Sequence, residues 1–425
     1  MLVVGAGAAG LAAARALGAA RVPRIVVEAR PRIGGRVDTR VDPVVGVPVE
    51  RGAEFVHGRP PEIVALAREA GLRLHAVRGR HRLRAGERLA APSELDRAHA
   101  LLALGSRDDE PFAALLTRPD VRRRFGEGAR KLAARFVEGF YLADPRRASS
   151  LALARMERAM EEIGGDRAYR ADGGYAVLLA PLAAGLSRER GDLRLSTVVE
   201  EIRWRPGAVE LRVRGPAGSR LPPIVGARAI VTLPLGVLKA GTVRFTPALV
   251  ARREALAALE SGPVLKAILR FRRAFWERRG GRDLAFLYAP GAPFRVFWTL
   301  APIRAPIVVG WAGGPAASRL AGRPPLVGVR AAVGALAKAL SLTPAAVEAE
   351  LDGATIVDWT ADPLARGGYA VFPVGSAAAA RRLGEPVAGT LFFAGEATAD
   401  ERDAGTVAGA IRTGERAARD VVESL

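Results

Sequence analysis

The chain is expected to fold as an α/β protein. A parallel sheet of dinucleotide-binding type is assembled from three separate segments, and an α+β unit is built from what lies between them. Three observations carry this reading. The apolar run Leu2-Val3-Val4 opens directly into Gly5-Ala6-Gly7-Ala8-Ala9-Gly10 and then into a helix-forming stretch, Leu11 to Leu17. A second apolar run, Arg24 to Val27, ends on an acid, Glu28. Near the other end, Leu391-Phe392-Phe393-Ala394 reads as a strand. A helix follows from about Gly405, with apolar positions Val407, Ala410, Ile411, Gly414, Ala417 and Val421 at helical spacing.

Each part of the first segment has a mechanical task. Gly5 permits the tight turn, Gly7 lets the backbone approach a pyrophosphate, and Gly10 lets the helix lie close to the strand. Ala8 and Ala9 open that helix, whose free N–H groups and partial positive charge suit phosphates. Glu28 stands where a carboxylate accepts hydrogen bonds from a ribose hydroxyl. A glycine-rich turn alone is weak, because Gly and Ala are abundant throughout. Strand, glycines, helix, strand and acid in this order make a Rossmann-type unit.

The dinucleotide-binding domain is expected over residues 1–62, 166–240 and 376–425. Its middle segment carries the strands Leu193-Arg194-Leu195 and Ala229 to Leu233, the latter closing on Pro234. Residues 63–165, helical and Arg-rich, and 241–375, with four of the five tryptophans, supply the substrate-binding domain.

Composition narrows the function. At 425 residues and 49% hydrophobic content, the chain can bury a large core, and long disorder is not expected. Zero cysteines exclude disulfides, thiolate metal sites and thioether attachment of a cofactor. With four scattered histidines, no metal site is expected. Met1 leads straight into the first strand and no apolar run spans a bilayer, so a cytoplasmic protein without a membrane span is expected. The formal charge of +20 comes almost wholly from arginine, spread along the chain in short clusters such as Arg122-Arg123-Arg124. No recognition-helix or RNA-binding signature accompanies it, so it reads as a solvated basic surface rather than a specific nucleic-acid site.

The chemistry gathers in a few further motifs. Glu28-Ala29-Arg30-Pro31-Arg32-Ile33-Gly34-Gly35-Arg36 gives a loop able to pass under a pyrophosphate, with a guanidinium to pair with it. A second element reads Gly52-Ala53-Glu54-Phe55-Val56-His57-Gly58, and a third Gly395-Glu396 with Gly405-Thr406-Val407. Lys266 lies in the apolar strand Val264 to Phe271, on one face with Val264 and Ile268. In a chain that almost always chooses arginine, a lysine among apolar neighbours is notable. A desolvated lysine can surrender its proton, whereas arginine cannot. An edge-strand lysine reaching to solvent is the plainer alternative.

These motifs, with Pro234 to Lys239 and Trp359 to Pro373, resemble the flavin-dependent amine oxidases: monoamine, polyamine and L-amino-acid oxidases and histone lysine demethylases. The resemblance implies non-covalent FAD, with Glu28 on the adenosine ribose, Arg36 on the phosphates and Val199 pairing its backbone with adenine. It sets Ala53–Phe55 near the isoalloxazine and Glu396 near the ribityl–phosphate end. It also implies that Lys266 holds a water against flavin N5. The helix after Gly405 would turn its positive end to the flavin edge where reduction gathers charge. His57 resembles a histidine over the amine path of polyamine oxidases, and Tyr369 one wall of the family's aromatic cage, with Trp359 ten residues before it. The partners implied are a small-molecule amine and O2.

Two departures bear on specificity. Gly368 stands where monoamine oxidases carry the cysteine joined to flavin, and Thr406 where they carry the second cage tyrosine. The coiled insertion and chromatin-reading domain of the demethylase relatives do not fit this length. Glu157 and Glu161 share a helix face; they could line the mouth for a cationic substrate, but a solvated face is the simpler reading. Two alternative functions remain at this stage: a related desaturase or oxidase of carotenoid or porphyrin type acting on C–C bonds, and a non-catalytic flavin-binding partner.

Overall fold

The computed structural model describes residues 1–83, 92–105, 108–289 and 291–425. A five-stranded parallel sheet runs in the order Leu391–Phe393, Ala229–Val231, Leu2–Val4, Ile25–Val27, Leu193–Arg194. Its central strand is the first of the chain, and apart from the edge strand Leu193–Arg194 its strands are apolar and largely buried on both faces, as a sheet covered on both sides requires. The helices Ala8–Ala19 and Val407–Glu423 lie side by side on it. Leu2–Val4 takes up the whole of its apolar run, and the other four strands are one or two residues shorter than theirs.

A β-carbon on Gly10 would stand 1.9 Å from the Gly5 carbonyl oxygen, so only glycine lets the helix start this close to its strand. Gly5 itself has φ +106°, beside Thr232.

A six-stranded sheet dominates the rest, in the order Leu351–Asp358, Val264–Phe271, Ile307–Gly313, Val296–Thr299, Leu284–Tyr288, Arg80–Leu83. The helix Pro325–Leu340 covers it and helps bury Leu265, Ala267, Leu269 and Phe271. Two small sheets stitch the expected units together. Arg244–Thr246, from the second insertion, joins the four-stranded sheet built on Val198–Arg205, Ala208–Arg214 and Ile224–Gly226. Ala168–Ala171 pairs with both Val56–His57 and Leu74–Ala76, so residues 63–165 are not purely helical. Among the described residues, no helix is long and apolar enough to cross a membrane.

Candidate active site

One cavity of about 2590 Å³ runs from the glycine loops of the parallel sheet to the aromatic side chains of the six-stranded sheet. Gly5, Gly7, Ala8, Ala9, Glu28, Ala29, Arg30, Gly34, Gly35 and Arg36 line its first part. Gly10 does not line it; its task is the helix-to-strand approach described above. The two glycine loops stand back to back. Gly34 N donates to Ala6 O at 2.8 Å, and a β-carbon on Gly35, at φ +60°, would come within 3.3 Å of Gly7 Cα. Gly7 caps the helix Ala8–Ala19 without any side chain, so the helix N-terminus faces the cavity uncovered. That cradle fits the pyrophosphate of a dinucleotide.

Glu28 is buried and accepts from the backbone N–H of Ala6 and of Arg30, each at 2.8 Å. Burial raises its pKa against those two hydrogen bonds. A carboxylate has lone pairs beyond these two, and they remain for a hydroxyl. Val199 lines the cavity with Thr197 and Glu200, at a break in strand register between Val199 and Glu201 that re-aims the backbone there.

Arg36 and Glu396 form one unit. Arg36 Nη1 donates to Glu396 Oε1 at 2.9 Å and to the carbonyl of Gly368. The other oxygen, Glu396 Oε2, accepts from the N–H of Ala370 at 3.1 Å and of Gly405 at 3.2 Å. The helix expected from Gly405 begins at Val407, because Thr406 caps it: Thr406 Oγ1 accepts from Gly409 N at 2.9 Å. Gly395, Gly405, Thr406 and Val407 all line the cavity.

Lys266 does not sit alone among apolar groups. Nor is its strand an edge: Val264–Phe271 lies between two neighbours, and the side chain is fully buried. Its ammonium donates to Glu50 O at 2.8 Å, to Gly52 O at 3.0 Å and to Glu54 Oε2. The other oxygen, Glu54 Oε1, accepts from Arg170 Nη1 and from Trp298 Nε1, both at 2.7 Å. Burial would raise the Glu54 pKa, but Lys266 and Arg170 outweigh it and hold the carboxyl below its ordinary range. Glu50, one turn of chain away, is pushed up to about 7, mainly by burial. Gly52, Ala53, Glu54 and Phe55 line the cavity beside this cluster. Arg170 and Trp298 carried no sequence motif. They come from strands far from Glu54, and only the fold brings them to it.

At the aromatic end, Tyr369 donates its hydroxyl to Phe140 O and lays its ring on Gly405, where a β-carbon would meet the ring at 3.2 Å. His57 stands edge-on to Phe140, with ring centroids 5.4 Å apart. Burial pushes its pKa down to about 4 against a hydrogen bond with the Gly165 backbone, so the imidazole is neutral near neutrality. Trp359 also lines the cavity. Its indole donates to Arg51 O at 2.8 Å, and its ring lies 5.7 Å from the Arg30 guanidinium. Trp359 and Tyr369 thus share a hydrophobic cluster but make different polar contacts.

Glu157 corrects the solvated-face reading. It is 6% exposed, accepts from Tyr141 Oη at 2.6 Å, and pairs with His99 Nδ1 at 3.2 Å. Glu161, on the same helix, is exposed. Helical spacing gives a face but not what packs on it; here Tyr141 and His99 meet Glu157, and both acids line the cavity.

"Lysine-specific histone demethylase 1 homolog 2" of Oryza sativa subsp. japonica is 29% identical over 100% of this chain and 57% of its own length. "Polyamine oxidase 3" of the same plant is 30% identical over 65% of this chain and 60% of its own. The chain thus spans about half the length of most curated relatives that it matches. Among solved structures, a putrescine oxidase bound to putrescine superposes with a TM-score of 0.79 at 21% identity, over 99% of this chain and 98% of that one. Cyclohexylamine oxidase from Brevibacterium oxydans IH-35A gives 0.75 at 24%, with the same coverage. These two likenesses establish the fold. Residues 8–422 match the family described as flavin containing amine oxidoreductase, and the chain belongs to it as a flavin-dependent oxidoreductase of amine-oxidase type.

Proposed function

We propose that the chain oxidises a small-molecule amine at a C–H bond next to nitrogen, with O2 as final acceptor. The products are an imine, which water converts to a carbonyl compound, and hydrogen peroxide. FAD, when bound, supplies the hydride acceptor at N5. The remaining tasks fall to this chain's own side chains.

The glycine cradle and Arg36 hold the pyrophosphate, and Glu28 accepts from the adenosine ribose. The Val199 backbone meets the adenine, and Glu396 lies toward the ribityl–phosphate end. Ala53–Phe55 flank the isoalloxazine, with Lys266 behind them. The N-terminus of the helix Val407–Glu423 offers its positive end to the flavin edge.

The observation that carries this reading is that Tyr369 and an uncharged His57 both line the cavity and both meet Phe140, Tyr369 through its hydroxyl and His57 through its ring. Hydride leaves readily only from a neutral amine, whose lone pair stabilises the developing iminium. A neutral imidazole adds no charge to oppose that development, and the faces of Tyr369 and Phe140 orient the amine. The relatives' names support an amine as substrate and range from putrescine to histone lysine.

The test is anaerobic titration of the holoenzyme with monoamines, diamines, polyamines, amino acids and an N-methyl-lysine peptide, following flavin absorbance. One class should bleach the flavin, and air should restore it with release of peroxide. Bleaching by dithionite but by no amine would favour the flavin-binding partner, and bleaching by a C–C substrate the desaturase. Slow recovery in air without peroxide would replace oxidase by dehydrogenase.

A further inference from the structure

We propose that Glu54 is a positioning residue that keeps Lys266 a permanent cation beside the flavin, so that the lysine acts as a fixed charge and not as a proton acceptor. The inference rests on the placement of FAD against Gly52–Phe55 proposed above.

The geometry is a closed set. An ammonium has three donors, and all three of Lys266 are engaged, by Glu50 O, Gly52 O and Glu54 Oε2. Glu54 spends its other oxygen on Arg170 and Trp298. The Trp298 ring also presents itself to the ammonium, 5.5 Å from Nζ. Lys266 and Glu54 are 1% and 4% exposed, and Arg170 11%. Trp298 is likewise buried. An isolated ammonium in such a place would be expelled or neutralised, and the carboxylate prevents both.

The arrangement is asymmetric. One anion serves two cations, and Arg170 is fixed further by donating to Ala301 O at 3.0 Å and Thr299 O at 3.2 Å. Glu50, from the strand Pro48–Glu50, also faces the cluster, with the buried Tyr175 behind it. Its carboxylate is occupied by Tyr175 N at 2.6 Å and Thr39 Oγ1 at 2.8 Å. On the acid side of about pH 7, where Glu50 is protonated, the cluster keeps one net positive charge next to the loop that lines the cofactor cavity. That charge favours an electron-rich flavin.

The test measures the flavin midpoint potential of the holoenzyme against pH, which needs no substrate. In E54Q the lysine loses its anion, so the E54Q curve should lie above wild type at low pH. It should turn at one additional ionisation and meet wild type at high pH. E54Q/K266M should lack that turn, and E54D, which keeps a carboxylate, should resemble wild type. An E54Q curve that superimposes on wild type or runs parallel to it would overturn the proposal. Melting supplies a second reading that requires no flavin. E54Q/K266M, with both charges removed, should melt above E54Q, and a double variant no more stable than E54Q would also overturn it.

Discussion

Gly414 rests directly on the backbone of Ala9: a β-carbon there would stand 2.2 Å from the Ala9 carbonyl oxygen. Two helices at opposite ends of the chain meet at this point, and the contact leaves no room for a methyl group.

Gly414→Ala should therefore wedge the helix Val407–Glu423 away from Ala8–Ala19. Overpacking of this kind costs about 1–3 kcal/mol. Both helix N-termini face the cofactor cavity, so the variant should also retain less FAD through purification. A thermal melt and the ratio of flavin to protein absorbance check the two effects together.

Arg36→Ala and Glu28→Gln should each weaken FAD binding by about 1–3 kcal/mol, the range for removing a charged hydrogen-bonding partner. Arg36→Ala should do more, because it also frees Glu396 and the Gly368 carbonyl. Flavin dissociation rates compared with wild type decide this. Full occupancy and unchanged rates in both variants would move the cofactor elsewhere.

Tyr369 separates ring from hydroxyl. Tyr369→Ala removes the aromatic wall and should raise KM for the amine by a factor corresponding to roughly 0.5–2 kcal/mol. Tyr369→Phe keeps the wall and loses only the bond to Phe140 O. It should lower stability by about 0.5–1.5 kcal/mol and leave KM nearly unchanged. Equal KM values in all three proteins would take Tyr369 out of the substrate path.

His57 makes a prediction about acid stability. Its pKa is about 4 when folded, against an ordinary value of 6.5. Between those values the unfolded chain binds more protons, so folding stability falls as pH drops from about 6.5 to about 4. Above that window the contribution is fully present. His57→Asn should flatten this limb, by roughly 3 kcal/mol across the window. Above pH 7 the imidazole is already neutral, so the alkaline rise of kcat/KM expected for an amine should keep its position. Urea titrations at a series of pH values give the first result, and a pH–rate profile the second.

The sequence announced the cradle because its demands are local: a turn, a close backbone approach, a helix start and an acid at a set distance. Gly5, Gly7, Gly35 and Glu28 occupy neighbouring positions in the fold for the same reasons that made their order readable. Lys266 was visible as an anomaly of residue choice, but its partner was not. Glu54 sat inside a motif read through its backbone, while Arg170 and Trp298 reach it from remote strands that share no spacing. Glu157 was misjudged for a similar reason. Helical periodicity placed it beside Glu161 but could not show that Tyr141 and His99 cover one of the pair.

The parallel sheet has a consequence for how the chain is made. Leu2–Val4 pairs with Ala229–Val231, which pairs in turn with Leu391–Phe393, and the helix Ala8–Ala19 waits for a helix about 400 residues further along. Contacts of such long range are slow to form, because the intervening chain must first be brought together. During synthesis the first strand and its glycine loop emerge long before either neighbour on that side exists. Until those neighbours are made, Leu2–Val4 is an apolar strand with an open edge, the kind of surface that chaperones cover.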